Sequence, residues 1–199
     1  VGVGMVDEIT DRTWVVVDAV DGRVHYAELG RLKPDDLPVR GTIVALTADK
    51  LEGKPSPTPR LQVLSPIEIY HQPTYDGPTW LDQAAVAKWR PEPETPGFAG
   101  ELRQALAARG QWLEQRNLAE VSPNGDIVPK LEMMRTLRQA ETERLVRDLS
   151  KDLKADYVTV EPGRQITGVY DRSVQTPSGN LAVIRRDDTF TLAPWRPAL

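Results

Sequence analysis

The sequence predicts an α+β fold: a small antiparallel β barrel-like unit, a central helical part and a second, C-terminal β unit. Three observations carry this. Up to Leu64, β-branched and apolar residues fall in short runs separated by turn residues; from Phe98 to Leu153 the apolar spacing is helical; from Asp156 it returns to a period of two. Proline sets the boundaries, because nine of the 17 prolines lie between Pro55 and Pro96, and proline removes a backbone donor and biases its predecessor toward extended geometry. The expected parts are a β unit over 1–66, a proline-rich connector with a short helix over 67–97, a helical part with a hairpin over 98–154, and a β unit over 155–199.

In the first part, Met5 onward reads as strand, followed by Trp14-Val15-Val16-Val17, Arg23 to Leu29, Thr42 to Leu46 and Leu61 to Leu64. Asp21-Gly22 supplies the positive φ of a tight hairpin turn. Several short strands in so few residues suggest a small barrel or curled sheet of the SH3-like or OB-like kind. In the connector, Thr79 stands three residues before Asp82, a variant of the capping box, and predicts a short helix to about Trp89. The runs Pro55 to Pro59 and Pro91 to Pro96 read as exposed.

In the helical part, Phe98, Leu102, Ala105, Leu106, Trp112 and Leu113 predict a helix interrupted softly at Gly110 and ending near Asn117. Leu118 to Val121, the turn Ser122-Pro123-Asn124-Gly125, and Asp126 to Val128 spell a hairpin. Leu131, Met134, Leu137, Leu145, Leu149 and Leu153 predict a final helix of about 24 residues. The closing strands are Tyr157 to Val160, Ile166 to Tyr170, Leu181 to Ile184 and Thr189 to Leu192. Trp14, Trp80 and Trp112 fall at core positions, whereas Trp89 and Trp195 are flanked by Pro or Arg and are expected at the surface.

Composition narrows the chemistry. The 199 residues contain no cysteine and two histidines, and carry a net charge of −4. Cysteine-based zinc sites, iron–sulfur centres and thiol nucleophiles are therefore excluded. His25 and His71 form neither H-x-H nor H-E-x-x-H. No serine sits in a nucleophile-elbow pattern. Gly2-Val3-Gly4 lacks a third glycine and a following helix, and no Walker motif occurs. The adjacent pairs Asp35-Asp36 and Asp187-Asp188 read as solvated turn acids. No catalytic residue, metal ligand or cofactor is expected. No apolar run is long enough for a membrane span, so a cytoplasmic protein is expected, and a start at Val1 suggests a piece of a longer chain.

Charge is uneven: residues 1–97 carry −5, 98–154 carry +1 and 155–199 are neutral. A basic face is therefore expected only in the helical part, from Arg103, Arg109, Arg116, Lys130, Arg135 and Arg138. The helix around Arg109 to Leu113 and the hairpin after it resemble the last helix and wing of a winged-helix domain, which would place the helix in a DNA groove. The competing reading is a solvated face, since Glu114, Glu120, Glu141 and Glu143 lie among the arginines.

Longer strings carry a family likeness. Gly4 to Glu8, Val17-Asp18, Asp21 to Tyr26, Thr79 to Asp82, Leu106 to Arg109 with Trp112-Leu113, Leu118 to Glu120, and above all Phe190 to Pro197 resemble the uncharacterised C-terminal domain of relaxase/mobilization nucleases of the virulence-region type. Ala193 departs from the pattern where a valine is expected. The resemblance implies a bacterial protein whose nickase domain, with its histidine-cluster metal site and nucleophilic tyrosine, lies outside this sequence. It also implies conjugation, with export through a type IV secretion system. Two functions follow as expectations. One is a non-catalytic accessory domain that assists handling of transfer-origin DNA, binding it weakly when alone. The other is an interaction module recognised by relaxosome partners or by the secretion coupling protein.

Overall fold

The computed structural model describes residues 2–7, 12–30, 37–47, 50–51, 54–55, 59–161, 163–177 and 179–194. The fold is α+β, with three helices and five small sheets among the described residues, none of them closed into a barrel. The chain divides into two compact units, Val1–Tyr75 with Thr79–Lys130, and Asp76–Pro78 with Leu131–Leu199. These cut across the expected parts, since the helical segment is shared between the two. Among the described residues no helix is long and apolar enough to cross a membrane.

In the first unit, β1 (Gly2–Asp7), β2 (Arg12–Asp18) and β3 (Val24–Gly30) form an antiparallel sheet in that order. Gly22, at φ +75°, makes the predicted turn between β2 and β3. β4 (Ile43–Thr47) pairs with β7 (Arg60–Ser65), and β5 (Lys50–Leu51) with β6 (Lys54–Pro55). Alternation on β2 buries Thr13, Val15 and Val17 on one face. Val15, Val17 and Leu29 then pack with Val44, Leu46 and Leu61, so the sheet lies on the β4–β7 pair without closing on it.

The proline-rich stretch is less a connector than expected. Its 3-10 turn (Ile69–His71) and α1 (Trp80–Val86) supply Ile69, Trp80, Leu81 and Ala84 to a core shared with Ile43 and with Phe98, Leu102 and Ala105 of α2 (Phe98–Gln115). Of the later run, residues 92–94 and 96 are exposed, as expected, and 91 and 95 are half-buried; Arg103 holds the run by donating to the carbonyls of Glu92 and Thr95. Of the first run, residues 56–58 lie outside the described residues.

Two glycines set α2. Gly97, its N-cap, has φ +66° and ψ −142°, a region open in practice only to glycine. A Cβ there would lie 2.8 Å from the Asp18 carboxylate, whose Oδ2 accepts the Phe98 N–H at 3.1 Å. A residue 80 positions away thus caps the helix. α2 runs unbroken through Gly110, which lies under the hairpin of β8 (Ala119–Val121) and β9 (Ile127–Pro129): a Cβ would be 3.1 Å from Ile127 Cγ1 and 3.2 Å from Val121 Cγ2. Gly110 marks close packing, not the interruption its propensity suggests.

In the second unit, α3 (Met133–Leu153) has 21 residues, and Leu131, expected within it, precedes it at 97% exposure. The helix ends at Lys154 in the left-handed conformation. β10 (Asp156–Tyr157), β11 (Val169–Thr176), β12 (Gly179–Arg186) and β13 (Thr189–Pro194) form one sheet, ordered β10-β13-β12-β11, with β10 parallel to β13 and the other pairs antiparallel. Leu149, Ala155, Val183 and Phe190 make its core, with Val146, Leu153, Val174 and Leu192 packed against them. The expected strands at 157–160 and 166–170 are mostly irregular. Only Val158 extends the ladder, its N–H donating to the Phe190 carbonyl at 2.8 Å, and β11 begins after Gly168, where a Cβ would lie 2.5 Å from the Arg185 carbonyl oxygen.

Two substitutions separate backbone strain from the cap. Gly125→Ala, at φ +81° with nothing within 4 Å of the new methyl, should cost about 1–2 kcal/mol in urea denaturation. Gly97→Ala should cost about 2–4 kcal/mol, because strain and loss of the Asp18 cap add. Equal costs would mean that Asp18 does not hold the helix start.

Candidate functional site

The residues expected to form a basic face are divided between the units, Arg103, Arg109, Arg116 and Lys130 in the first and Arg135 and Arg138 in the second. Arg109 is not on a face at all: its side chain is wholly buried. Its Nε donates to Asp82 Oδ1 and its Nη2 to Asp82 Oδ2, each at 2.8 Å, while Nη1 donates to the carbonyls of Tyr75 at 2.8 Å and Pro73 at 3.3 Å. A guanidinium committed in this way cannot reach a phosphate, so Arg109 is withdrawn as a DNA contact. Arg103 is occupied with backbone carbonyls, Lys130 Nζ donates to Asn117 Oδ1, and the exposed Arg135 pairs with Glu132 one helical turn away. Arg116 lies over the Trp112 ring at 4.2 Å, and Arg109 over the same ring at 4.5 Å. Trp112, expected in the core, is half-buried.

The buried pair extends into a network. Asp82 Oδ2 also accepts the Thr79 N–H at 2.8 Å, completing the predicted capping interaction, and the Thr79 hydroxyl at 3.2 Å. Gln72, itself fully buried, donates to the Ser65 hydroxyl and the Ile67 carbonyl and accepts the Leu81 N–H. Sequence reasoning treated Arg109 as a surface cation, but a signal was present. Phe98, Leu102, Ala105, Arg109 and Leu113 share one helical stripe, and all five are buried.

Two of the clefts in this unit are lined by tryptophan. The first, about 420 Å³ in volume, takes its walls from β3, β4 and α1 and includes Tyr26, Val44, Leu46, Trp80 and Trp89. Among the described residues β3 pairs only with β2, and β4 only with β7, so both are edge strands. Of the residues that line it, Tyr26 is 60% exposed and stacked on Trp14. Trp89, at 44%, stands edge-on to Trp80. The second cleft, about 190 Å³, is lined by Trp89 with Lys88, Arg90 and Arg103 and by the tip of the β8–β9 hairpin. Arg90 pairs there with Asp126.

His25 and His71 are both exposed, and no group of three His, Cys, Asp or Glu positioned for a metal occurs among the described residues. His25 Nε2 lies 3.0 Å from Asp21 Oδ2. The Arg23 N–H, donating to Asp21 Oδ1 at 3.0 Å, holds the Asp21 carboxyl below the usual range, and His25 adds to the effect. Trp195 lies outside the described residues.

Two expected outcomes follow. Arg109→Met leaves the Asp82 carboxylate buried and unpaired, and should cost about 3–5 kcal/mol in urea denaturation; Arg116→Met, at an exposed site, should cost well under 1 kcal/mol. A small loss for Arg109→Met would show that water reaches Asp82. Asp21 should titrate by NMR below the ordinary value of about 3.9. Since its pKa is lowered on folding, its small stabilising contribution is present above the unfolded value and disappears as the pH falls through the folded one; a midpoint at or above 3.9 would contradict the turn geometry.

A family model described as "Protein of unknown function (DUF3363)" matches residues 48–199, about three quarters of the chain and a span that takes in Asp82, Arg109 and the whole C-terminal sheet. No curated protein and no solved structure matches the chain.

Proposed function

We propose that this chain, which belongs to the DUF3363 family, is a non-catalytic accessory domain of a conjugative relaxase that works as an interaction module for relaxosome partners or the type IV secretion coupling protein. The relaxase context rests on the likeness of the strings that end in Phe190 to Pro197. The module reading rests on the apolar cleft walled by the edge strands β3 and β4. An edge strand offers unpaired N–H and C=O groups, and an adjacent row of apolar side chains gives an extended peptide both main-chain bonds and side-chain pockets. The net −5 of residues 1–97 selects a peptide with basic residues flanking its apolar ones.

A second reading, contact with transfer-origin DNA, is favoured by the smaller cleft, where exposed Trp89 stands beside Lys88 and Arg90. Base stacking on an aromatic ring together with backbone neutralisation is the common apparatus for single strands. With Arg109 buried and Arg103 tied to carbonyls, few cations remain, so such binding is weak and strongly salt-dependent.

The test is co-purification and calorimetric titration of the full chain with the soluble part of the coupling protein and, separately, with single-stranded transfer-origin DNA. The coupling protein should bind, and His25→Lys, which places a fixed cation at an exposed position of the cleft lining, should weaken it about tenfold. DNA should bind only at low salt and should lose affinity in Trp89→Ala. Coupling-protein binding indifferent to His25→Lys would overturn the cleft reading, and DNA binding that persists near 200 mM salt would put DNA first.

A further inference from the structure

The second unit holds a cavity of about 350 Å³, walled on one side by residues 158–161 and 164–167 and on the other by β12 and β13. Alternation along β13 sends Phe190 and Leu192 toward the core under α3 and Thr189 and Thr191 to the opposite face of the sheet. Thr191 lines the cavity at 7% exposure, and its Oγ1 is the buried side-chain nitrogen or oxygen atom left without a hydrogen-bond partner among the described residues. Its neighbour Thr189 is committed, donating to the Arg186 carbonyl at 2.8 Å. A buried hydroxyl without a partner is costly to the free fold, and Thr191 is one of the residues that wall the cavity. Two guanidinium groups, Arg164 and Arg186, stand at the rim. The single acid there, Glu161, lies 3.8 Å from Arg164 with both side chains largely exposed, a weak pairing.

We propose that this cavity binds a small organic phosphate of the nucleoside monophosphate class. Guanidinium groups suit the phosphate, the Thr191 hydroxyl suits a polar group on the organic part, and Ile166 and Ile184 offer it apolar surface. The volume falls in the range of small-molecule sites and exceeds what inorganic phosphate fills. A neutral ligand would leave both arginines unused. The inference concerns the second unit alone and stands apart from the reading of the first.

The test is an NMR titration of the full chain with adenosine 5′-monophosphate, with adenosine and inorganic phosphate as parallel probes. The monophosphate should shift the resonances of Thr191, Ile166 and Ile184 saturably, and each half-molecule should bind about tenfold more weakly or worse. Arg186→Ala, at an exposed position, should weaken binding about fivefold or more. Thr191→Val, the same shape without the hydroxyl, should weaken binding while leaving the melting temperature of the free chain unchanged or raised. The proposal is overturned if the monophosphate gives no saturable shift at about 5 mM, or if inorganic phosphate binds as well. It is equally overturned if Thr191→Val lowers the melting temperature, because the hydroxyl would then already be satisfied.

Discussion

The buried ion pair between Arg109 and Asp82 is the interaction on which the first unit depends. Both side chains are fully removed from solvent, and a charge in that position is tolerable only when its partner and its hydrogen bonds are in place. The pair therefore fixes more than itself. It sets the position of α2 against the start of α1, it draws the carbonyls of Pro73 and Tyr75 onto the guanidinium, and it makes the Thr79 cap part of the core. Gln72 completes the arrangement by linking the end of β7, through Ser65, to the first turn of α1. Removing one partner alone would strand the other charge in the core, which is why the two residues act as a unit.

Around that fixed centre the β elements are left incomplete. The sheet of β1, β2 and β3 meets the β4–β7 pair through side chains, not through a closing ladder, and the result is an apolar cleft with two strand edges beside it. A closed barrel would have no edges to offer. The features that fail the barrel expectation are thus the ones that support an interaction module, and the acidity of residues 1–97 points its partner chemistry toward basic segments.

The second unit follows different logic. One face of its sheet is covered by α3 in ordinary apolar packing. The opposite face is covered partly by irregular backbone, which cannot pack as tightly as a helix and leaves a cavity that Thr191 helps to wall. The contrast between a satisfied face and an unsatisfied one within a single sheet is what marks that space as a site.

The sequence by itself determined the kinds of element and most of their places. Period-two and period-3.6 spacing located β2, β3, β4, β7, β12, β13, α2 and α3, Asp21-Gly22 and Ser122 to Gly125 located two turns, and Thr79 with Asp82 located the start of α1. These are local matters, decided by side-chain alternation, φ preference and caps within a few residues. What only the tertiary structure decided involved partners distant in the chain: Asp18 capping α2 across 80 residues, Gly110 receiving the hairpin instead of interrupting the helix, the division of the helical part between two units, and the fate of the arginines. An arginine on an apolar stripe reads from sequence as a surface cation or a misplaced charge. Only the arrival of Asp82, 27 residues earlier in the chain, makes burial of Arg109 favourable, because the free energy of a charge depends on what surrounds it in space and not on its neighbours in sequence.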